Sequence, residues 1–347
     1  MKIVIFGNMG YVGPGVVERL RSTYPTATLI GYDAGFFASC LTDVDYLPER
    51  KLDHQYFGDI RNIPDEVIKN ADAVINLAAI SNDPMGTKFE EVTLDVNHKS
   101  GIQLAKKAKE LGVKSFIFAS SCSMYGAASD GAKTEDSTLN PLTAYARSKV
   151  FTEKDLQPLA DKNFTVTCLR FATACGMSPR LRLDLVLNDF VACALASKHI
   201  TILSDGTPWR PLINVKDMAI AIDWAIARPA SIGDFLAVNT GSDQWNYQVK
   251  ELAEAVSSVI PGVKVSINTV APPDKRSYRV NFGLYKKLAP NHQPQYDLLR
   301  TIKELKEGLE AMKFNDSDFR DSGLMRLKVL TTLQDKDQLS SELKWKK

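Results

Sequence analysis

The sequence predicts an α/β protein, a doubly wound parallel sheet carrying a smaller mixed α/β lobe. Three observations predict it. Short apolar runs alternate with amphipathic stretches through the first half of the chain, the pattern of strands joined by crossover helices. A glycine-rich turn, Gly7-Asn8-Met9-Gly10-Tyr11-Val12-Gly13, connects the first run to the first amphipathic stretch. Past Arg170 the alternation gives way to an Arg-, Pro- and Trp-bearing pattern of a different kind.

The elements follow in order. Lys2–Phe6 reads as a buried strand, and residues 11–22 as a helix with Val12, Val16, Val17 and Leu20 on one face. Residues 28–32 form a second strand that ends at Asp33, and residues 55–57 a weak one. Residues 73–77 and 115–119 are further strands, separated by helical stretches at 64–70 and 89–111. A helix is expected over 144–159, another over 185–196, and a strand over 200–203. Residues 313–347 are polar and charged around a short apolar patch of Leu324, Leu327, Val329 and Leu330, and read as a C-terminal extension. The expected organisation is a dinucleotide-binding part over 1–172 to which about 210–245 returns. A substrate lobe is expected from 173–209 and about 246–312.

Composition sets the outer limits. In 347 residues, hydrophobic types make up 44% and charged types 24%, ordinary for a globular protein and far from disorder or a disulfide mini-protein. Lys and Arg number 43 against 41 Asp and Glu, a net charge of +2, so neither a nucleic-acid nor a membrane-surface partner is expected. The five cysteines are odd in number, scattered and without a CxxC pair; the four histidines lack ligand spacing, and no metal site is expected. No apolar run approaches a bilayer span, and the chain opens directly on a strand, so a cytoplasmic protein is the expectation.

The glycine turn carries the first functional signal. Glycines between a strand and a helix let the backbone approach a pyrophosphate, which the N–H groups of the helix start then hold. The spacing is GxxGxxG, not the commoner GxGxxG, and such turns also occur without a ligand. Asp33, 20 residues beyond Gly13 and at the end of the next strand, sharpens it. An acid there accepts ribose hydroxyls and repels a 2′-phosphate, favouring NAD over NADP in a Rossmann-like half. A turn-initiating aspartate in Asp33-Ala34-Gly35 is the competing reading. Asp59, followed by Ile60, stands where it can accept from an adenine amino group, and Leu77, Ala78 and Ala79 supply small or apolar surface at a strand end.

The chemistry is expected from two segments. Ser120-Ser121-Cys122-Ser123-Met124-Tyr125-Gly126 follows the strand at 115–119, and Tyr145-Ala146-Arg147-Ser148-Lys149 opens a helix. Tyr145 and Lys149, four apart, share a helix face. A neighbouring ammonium favours phenolate, which lets a tyrosine act as a base near neutrality. With 11 tyrosines a YxxxK match by itself means little; its place after a serine-rich strand end gives it weight.

On these residues, together with Leu169-Arg170-Phe171 and Arg210-Pro211-Leu212-Ile213-Asn214-Val215-Lys216-Asp217, the chain resembles the extended short-chain dehydrogenase/reductases. The closest likeness is to their NAD-dependent nucleotide-sugar epimerase/dehydratase branch, and it runs from residue 1 to about 310. The resemblance implies Tyr145 as acid and base, Lys149 on the nicotinamide ribose and Ser121 on the sugar hydroxyl. It adds Met9, Tyr11, Val12, Asn97, Ser120 and Phe171 to the cofactor set. It also implies a homodimer through the helices at 89–111 and 144–159, and a nucleotide-diphosphate substrate met by Ser121, Ser123, Thr173, Arg180, Arg182, Arg210 and Arg279, with Arg276 a further candidate. Departures narrow it. Dehydratases of the branch carry an acid just after the Ser/Thr, where Cys122 and Ser123 stand. The 3,5-epimerase/reductases place a cysteine where Ser123 is, so Cys122 reads as a packed residue. Thr173 and Asn214 stand where relatives often have Asn and His or Tyr. The implied activity is 4-epimerisation through a keto-sugar, with reduction of a nucleotide-linked keto-sugar as the alternative, and a dehydratase or a non-catalytic NAD-binding protein behind it.

Overall fold

The computed structural model describes residues 1–42, 44–128, 131–268, 270–271 and 276–346. β1 (Lys2–Phe6) is buried from Ile3 onward, as a central strand covered on both faces must be. It leads into α1 (Gly13–Thr23), which buries Val16, Val17 and Leu20 and carries Pro14 in its first turn, where a missing N–H costs nothing. β2 (Thr28–Asp33), β3 (His54–Phe57), α2 (Asp65–Ile68) and β4 (Ala73–Asn76) follow.

The single helix expected over 89–111 is instead broken. The chain forms α3 (Asp83–Lys88), α4 (Glu90–Leu94), a π-helical turn at Asp95–Lys99, and then α5 (Ser100–Glu110). The wide turn brings the Asn97 side chain inward, where it accepts from Ile80 N at 2.8 Å and donates to Ile80 O at 3.0 Å. Two backbone groups of the loop after β4 are thereby satisfied, which offsets the irregular helix.

Next come β5 (Ser115–Ser121), β6 (Ala132–Lys133), α6 (Ala144–Leu156), β7 (Thr165–Phe171) and β8 (Thr173–Cys175). They are followed by α7 (Val186–Ala196), β9 (His199–Ile202), β10 (Trp209–Asn214), α8 (Val215–Ile226) and β11 (Phe235–Thr240). The chain closes with β12 (Asn246–Gln248), α9 (Val249–Val259), β13 (Lys264–Ile267), β14 (Arg279–Val280), α10 (Gly283–Leu288), α11 (Leu298–Ala311) and α12 (Arg326–Asp335).

Seven strands form one sheet in the order β11-β7-β5-β4-β1-β2-β3, and its six pairings are all parallel. The order reverses between β1 and β4, so the loops that follow them part and leave a crevice at the strands' C-terminal ends. Side chains alternate across the sheet. Ile3, Ile5, Ile75 and Ile117 join α1 and α8 in one core; Val4, Val74, Phe116 and Phe118 join α2, α5 and α6 in the other. β10 lies in a separate three-stranded sheet between β8 and β12, and β13 pairs with β9. Residues 313–346 lie against the body: Leu330, Leu339 and Leu343 are buried on Ile80, Met85 and Phe89 in a third cluster. All five cysteines are unpaired and buried. No described helix is long and apolar enough to cross a membrane.

Candidate active site

A cleft of about 1060 Å³ opens at the C-terminal edge of the large sheet. The register explains its wall. Phe6 pairs with Tyr32 and Asn76, and Ser121 with Phe171, so the residues following each strand surface at one level. Gly7, Gly10, Tyr11 and Val12 form its floor with Asp33, and Leu77, Ala78 and Ala79, which follow the neighbouring strand β4, line it beside Gly7.

The three glycines differ in what they do. Gly7 sits at φ +81°, and a Cβ on it would meet Ala78 N at 2.6 Å. At Gly13 a Cβ would meet Asn8 O at 1.9 Å, so this glycine serves packing of the helix start. Gly10 faces the cleft, and its nearest obstacle, Gly7 O, is 3.3 Å away. α1 starts without a side-chain cap and without an acid in its first turn, which leaves its positive end to a ligand. Asp33 turns both carboxylate oxygens to backbone: Gly35 N donates to Oδ1 at 2.7 Å and Met9 N to Oδ2 at 2.9 Å. Burial raises its pKa against those two bonds. A glycine-bearing floor, an uncapped helix start and a fixed carboxylate together fit a dinucleotide without a 2′-phosphate.

Ser121, Tyr145 and Lys149 meet on the next stretch of wall. Thr143 caps α6, its Oγ1 accepting from Ala146 N at 3.1 Å, which fixes the first turn that carries Tyr145. Burial pushes the Tyr145 phenol up to about 12, while a hydrogen bond with Ser121 and the Arg182 charge work the other way. Lys149 Nζ donates to Ala119 O at 2.7 Å and lies 5.4 Å from the Tyr145 ring centre. Burial lowers its pKa to about 7, opposed chiefly by Glu153. Glu153 also accepts from Ser120 Oγ and pairs bidentately with Arg170, a buried network directly beneath the three. Cys122 is fully buried, its thiol donating to Arg170 O at 3.0 Å.

Asp59, Ile60, Ser120, Ser123, Phe171 and Thr173 also line the cleft. So do Arg182, held by Asp184 and Ser81, and Arg210, which donates to Trp209 O at 2.9 Å. Other expected site residues are placed elsewhere. Arg180 is fully buried behind the wall, donating to Phe37 O and Ala38 O and pairing with Glu49 at 2.9 Å; its guanidinium fastens a loop and does not reach the cleft. Arg279 lies 5.2 Å over the Trp209 ring, outside the lining. Asn97, Met9 and Gly13 shape the walls from behind. Asp274 and Lys275 of the late loop lie outside the described residues. The sequence reading did not single out Asp83, Arg61, Arg320 or Arg326, all of which line the cleft. Asp83 faces Arg276 at 2.7 Å. Only Arg61, two residues after Asp59, carried any local signal.

Comparison with known proteins agrees with this geometry. The chain is 26% identical over 270 residues to an uncharacterized UDP-glucose epimerase, YtcB, of Bacillus subtilis, covering 74% of this chain and 82% of that one. It is 23% identical over 315 residues to the low-salt glycan biosynthesis protein Agl12 of Haloferax volcanii, covering 90% and 97%. In fold it is similar to the UDP-glucuronic acid 4-epimerase of Bacillus cereus, solved with UDP-glucuronic acid and NAD, with TM-score 0.77, 20% identity and 90% and 100% coverage. It is equally similar to the NAD-dependent NDP-hexosamine 5,6-dehydratase TunA, with TM-score 0.77, 21% identity and 91% and 99% coverage. The model of the NAD dependent epimerase/dehydratase family matches residues 3–241. That match takes in the glycine floor, Asp33 and the Ser121–Tyr145–Lys149 wall, and on it the chain is an NAD-dependent enzyme of the epimerase/dehydratase family.

Proposed function

We propose that the enzyme inverts a nucleotide-diphosphate sugar at C4 through a transient 4-keto sugar. The observation that carries this reading is the makeup of the reacting wall. Ser121, Tyr145 and Lys149 are grouped there, while the residues after Ser121 are a packed cysteine and a serine. No carboxyl group follows Ser121 to eliminate water. Gly7, Gly10 and Asp33 would hold NAD, whose chemistry there would be reversible uptake of hydride from the sugar carbon.

The chain's own residues handle the proton and the orientation. Tyr145 Oη, which burial holds as a neutral phenol in the cofactor-free protein, accepts the proton of the sugar hydroxyl only once added positive charge beside it favours phenolate, and later returns it. Ser121 Oγ, bonded to Tyr145 and to Ser123, holds the reacting oxygen beside that phenol. Lys149, when protonated, and Arg182 supply positive charge that favours phenolate. Arg182, Arg210 and Arg276 on the cleft wall suit a diphosphate, which supports a nucleotide-linked sugar as substrate.

The test is incubation with UDP-, GDP-, CDP- and dTDP-sugars, product stereochemistry being read by NMR. A C4 epimer should form with no net change in reduced cofactor; stoichiometric consumption of NADH or NADPH would instead mark a keto-sugar reductase. Tyr145→Phe should lower turnover about 10³-fold or more with NAD still bound. Full activity in that variant would overturn the mechanism. We also infer a homodimer through α5 and α6, supported by the exposed Phe151 on α6; sedimentation equilibrium of Phe151→Asp against the parent tests it, the variant being expected to dissociate.

A further inference from the structure

One end of the cleft is closed from behind by residues near the C-terminus. Ala34, Phe36 and Arg61 line the cleft beside Asp33 and Asp59, and four contacts tie them to residues 342–345. Arg61 Nη1 donates to Glu342 O at 2.8 Å and Nη2 to Leu343 O at 3.1 Å. The same guanidinium holds Asp59, with Nη2 at 2.6 Å from Oδ2. Trp345 Nε1 donates to Ala34 O at 2.6 Å, and its ring centre lies 5.8 Å from that of Phe36.

The segment making these contacts is itself folded. Leu339 and Trp345 pair in an antiparallel bridge, Ser340 N donates to Lys344 O at 2.9 Å, and Leu339 and Leu343 are buried. It therefore acts as a small rigid piece fastened at once to the loop after β2 and to the loop after β3. An acid at the end of β2 is where a dinucleotide's adenosine ribose is met in this fold. The two fastened loops are therefore the walls of the adenosine end.

We propose that residues 336–346 are a clasp for the adenosine half of NAD, with Trp345 and Arg61 as its positioning residues. Release of the cofactor requires one of the two loops to swing outward, and either movement breaks bonds to the same folded segment. Loops held in place before binding also lose less freedom when the ligand arrives. The clasp thus slows exit more than it alters the reacting wall, and it keeps NAD in place between turnovers whichever sugar the enzyme takes.

The experiment follows exchange of bound NAD for isotopically labelled NAD in the holoenzyme. Trp345→Ala suits it because the side chain is half exposed, so the core is left intact; a truncation after Asp337 is the second variant. Exchange should quicken about tenfold in Trp345→Ala, which loses one hydrogen bond and one ring contact, and more in the truncation. The unfolding midpoint of NAD-free Trp345→Ala should match that of the parent. Exchange within twofold of the parent in both variants would overturn the clasp. So would a faster exchange in Trp345→Ala that comes with a matching fall in the NAD-free midpoint, since that would report a loosened fold.

Discussion

Lys149 is an amine placed where its charge is disfavoured. Its pKa falls from the ordinary 10.5 to about 7 through burial. Between those values the unfolded chain binds a proton that the folded chain does not, so stability rises with pH across this window. The penalty is fully present below pH 7, is roughly 5 kcal/mol at most, and has vanished by about pH 10.5. Lys149→Met should therefore be more stable than the parent in urea unfolding of the NAD-free protein at pH 6, with the difference shrinking toward pH 10. An unchanged difference across that range would show that the lysine is not buried as a charge. The sequence disclosed the Tyr145–Lys149 pairing because a four-residue spacing on a helix is local information. It could not disclose the depth of Lys149 or the Glu153–Arg170 pair below it, because Arg170 arrives from β7. The same limit applies to Arg180 and Arg182. Only tertiary contacts, with Glu49 for the first and Ser81 for the second, decide which one reaches the cleft.

At the scale of the element, the glycine turn separates packing from recognition. Gly13→Ala forces a Cβ onto Asn8 O and should cost about 3 kcal/mol of stability, measured as a lowered urea midpoint. Gly10→Ala brings its Cβ only to 3.3 Å from Gly7 O, a tight contact relieved by a small shift, so its midpoint should fall much less than that of Gly13→Ala while its affinity for NAD falls, because the added methyl occupies cleft floor. Equal loss of stability in both variants would contradict this division. The turn and its strand–helix setting were legible because the glycine spacing, β1 and α1 are contiguous. The break in the helix expected over 89–111 was not. Its periodicity continues through the π-helical turn, and the reason for the turn, Asn97 reaching Ile80, spans 17 residues.

At the scale of the molecule, the parallel sheet and its two faces followed from strand–helix alternation. The walls built by late segments did not. Arg320 and Arg326 line the cleft although the stretch around them reads as an ordinary charged surface, because their partners, Asp189 for one and the carbonyls of Arg180 and Leu181 for the other, are more than a hundred residues earlier. The buried cysteines give this architecture a built-in clock. Cys122 belongs to the core on one face of the sheet and Cys168 to the core on the other, while Cys40 lies near Arg180 and Arg326, close to where the C-terminal part docks. A thiol-alkylating reagent reaches each only when its own surroundings open. In low urea, mass-spectrometric labelling should mark Cys40 first, and Cys122 with Cys168 together only at global unfolding, so the order of alkylation reads out which part of the enzyme lets go first.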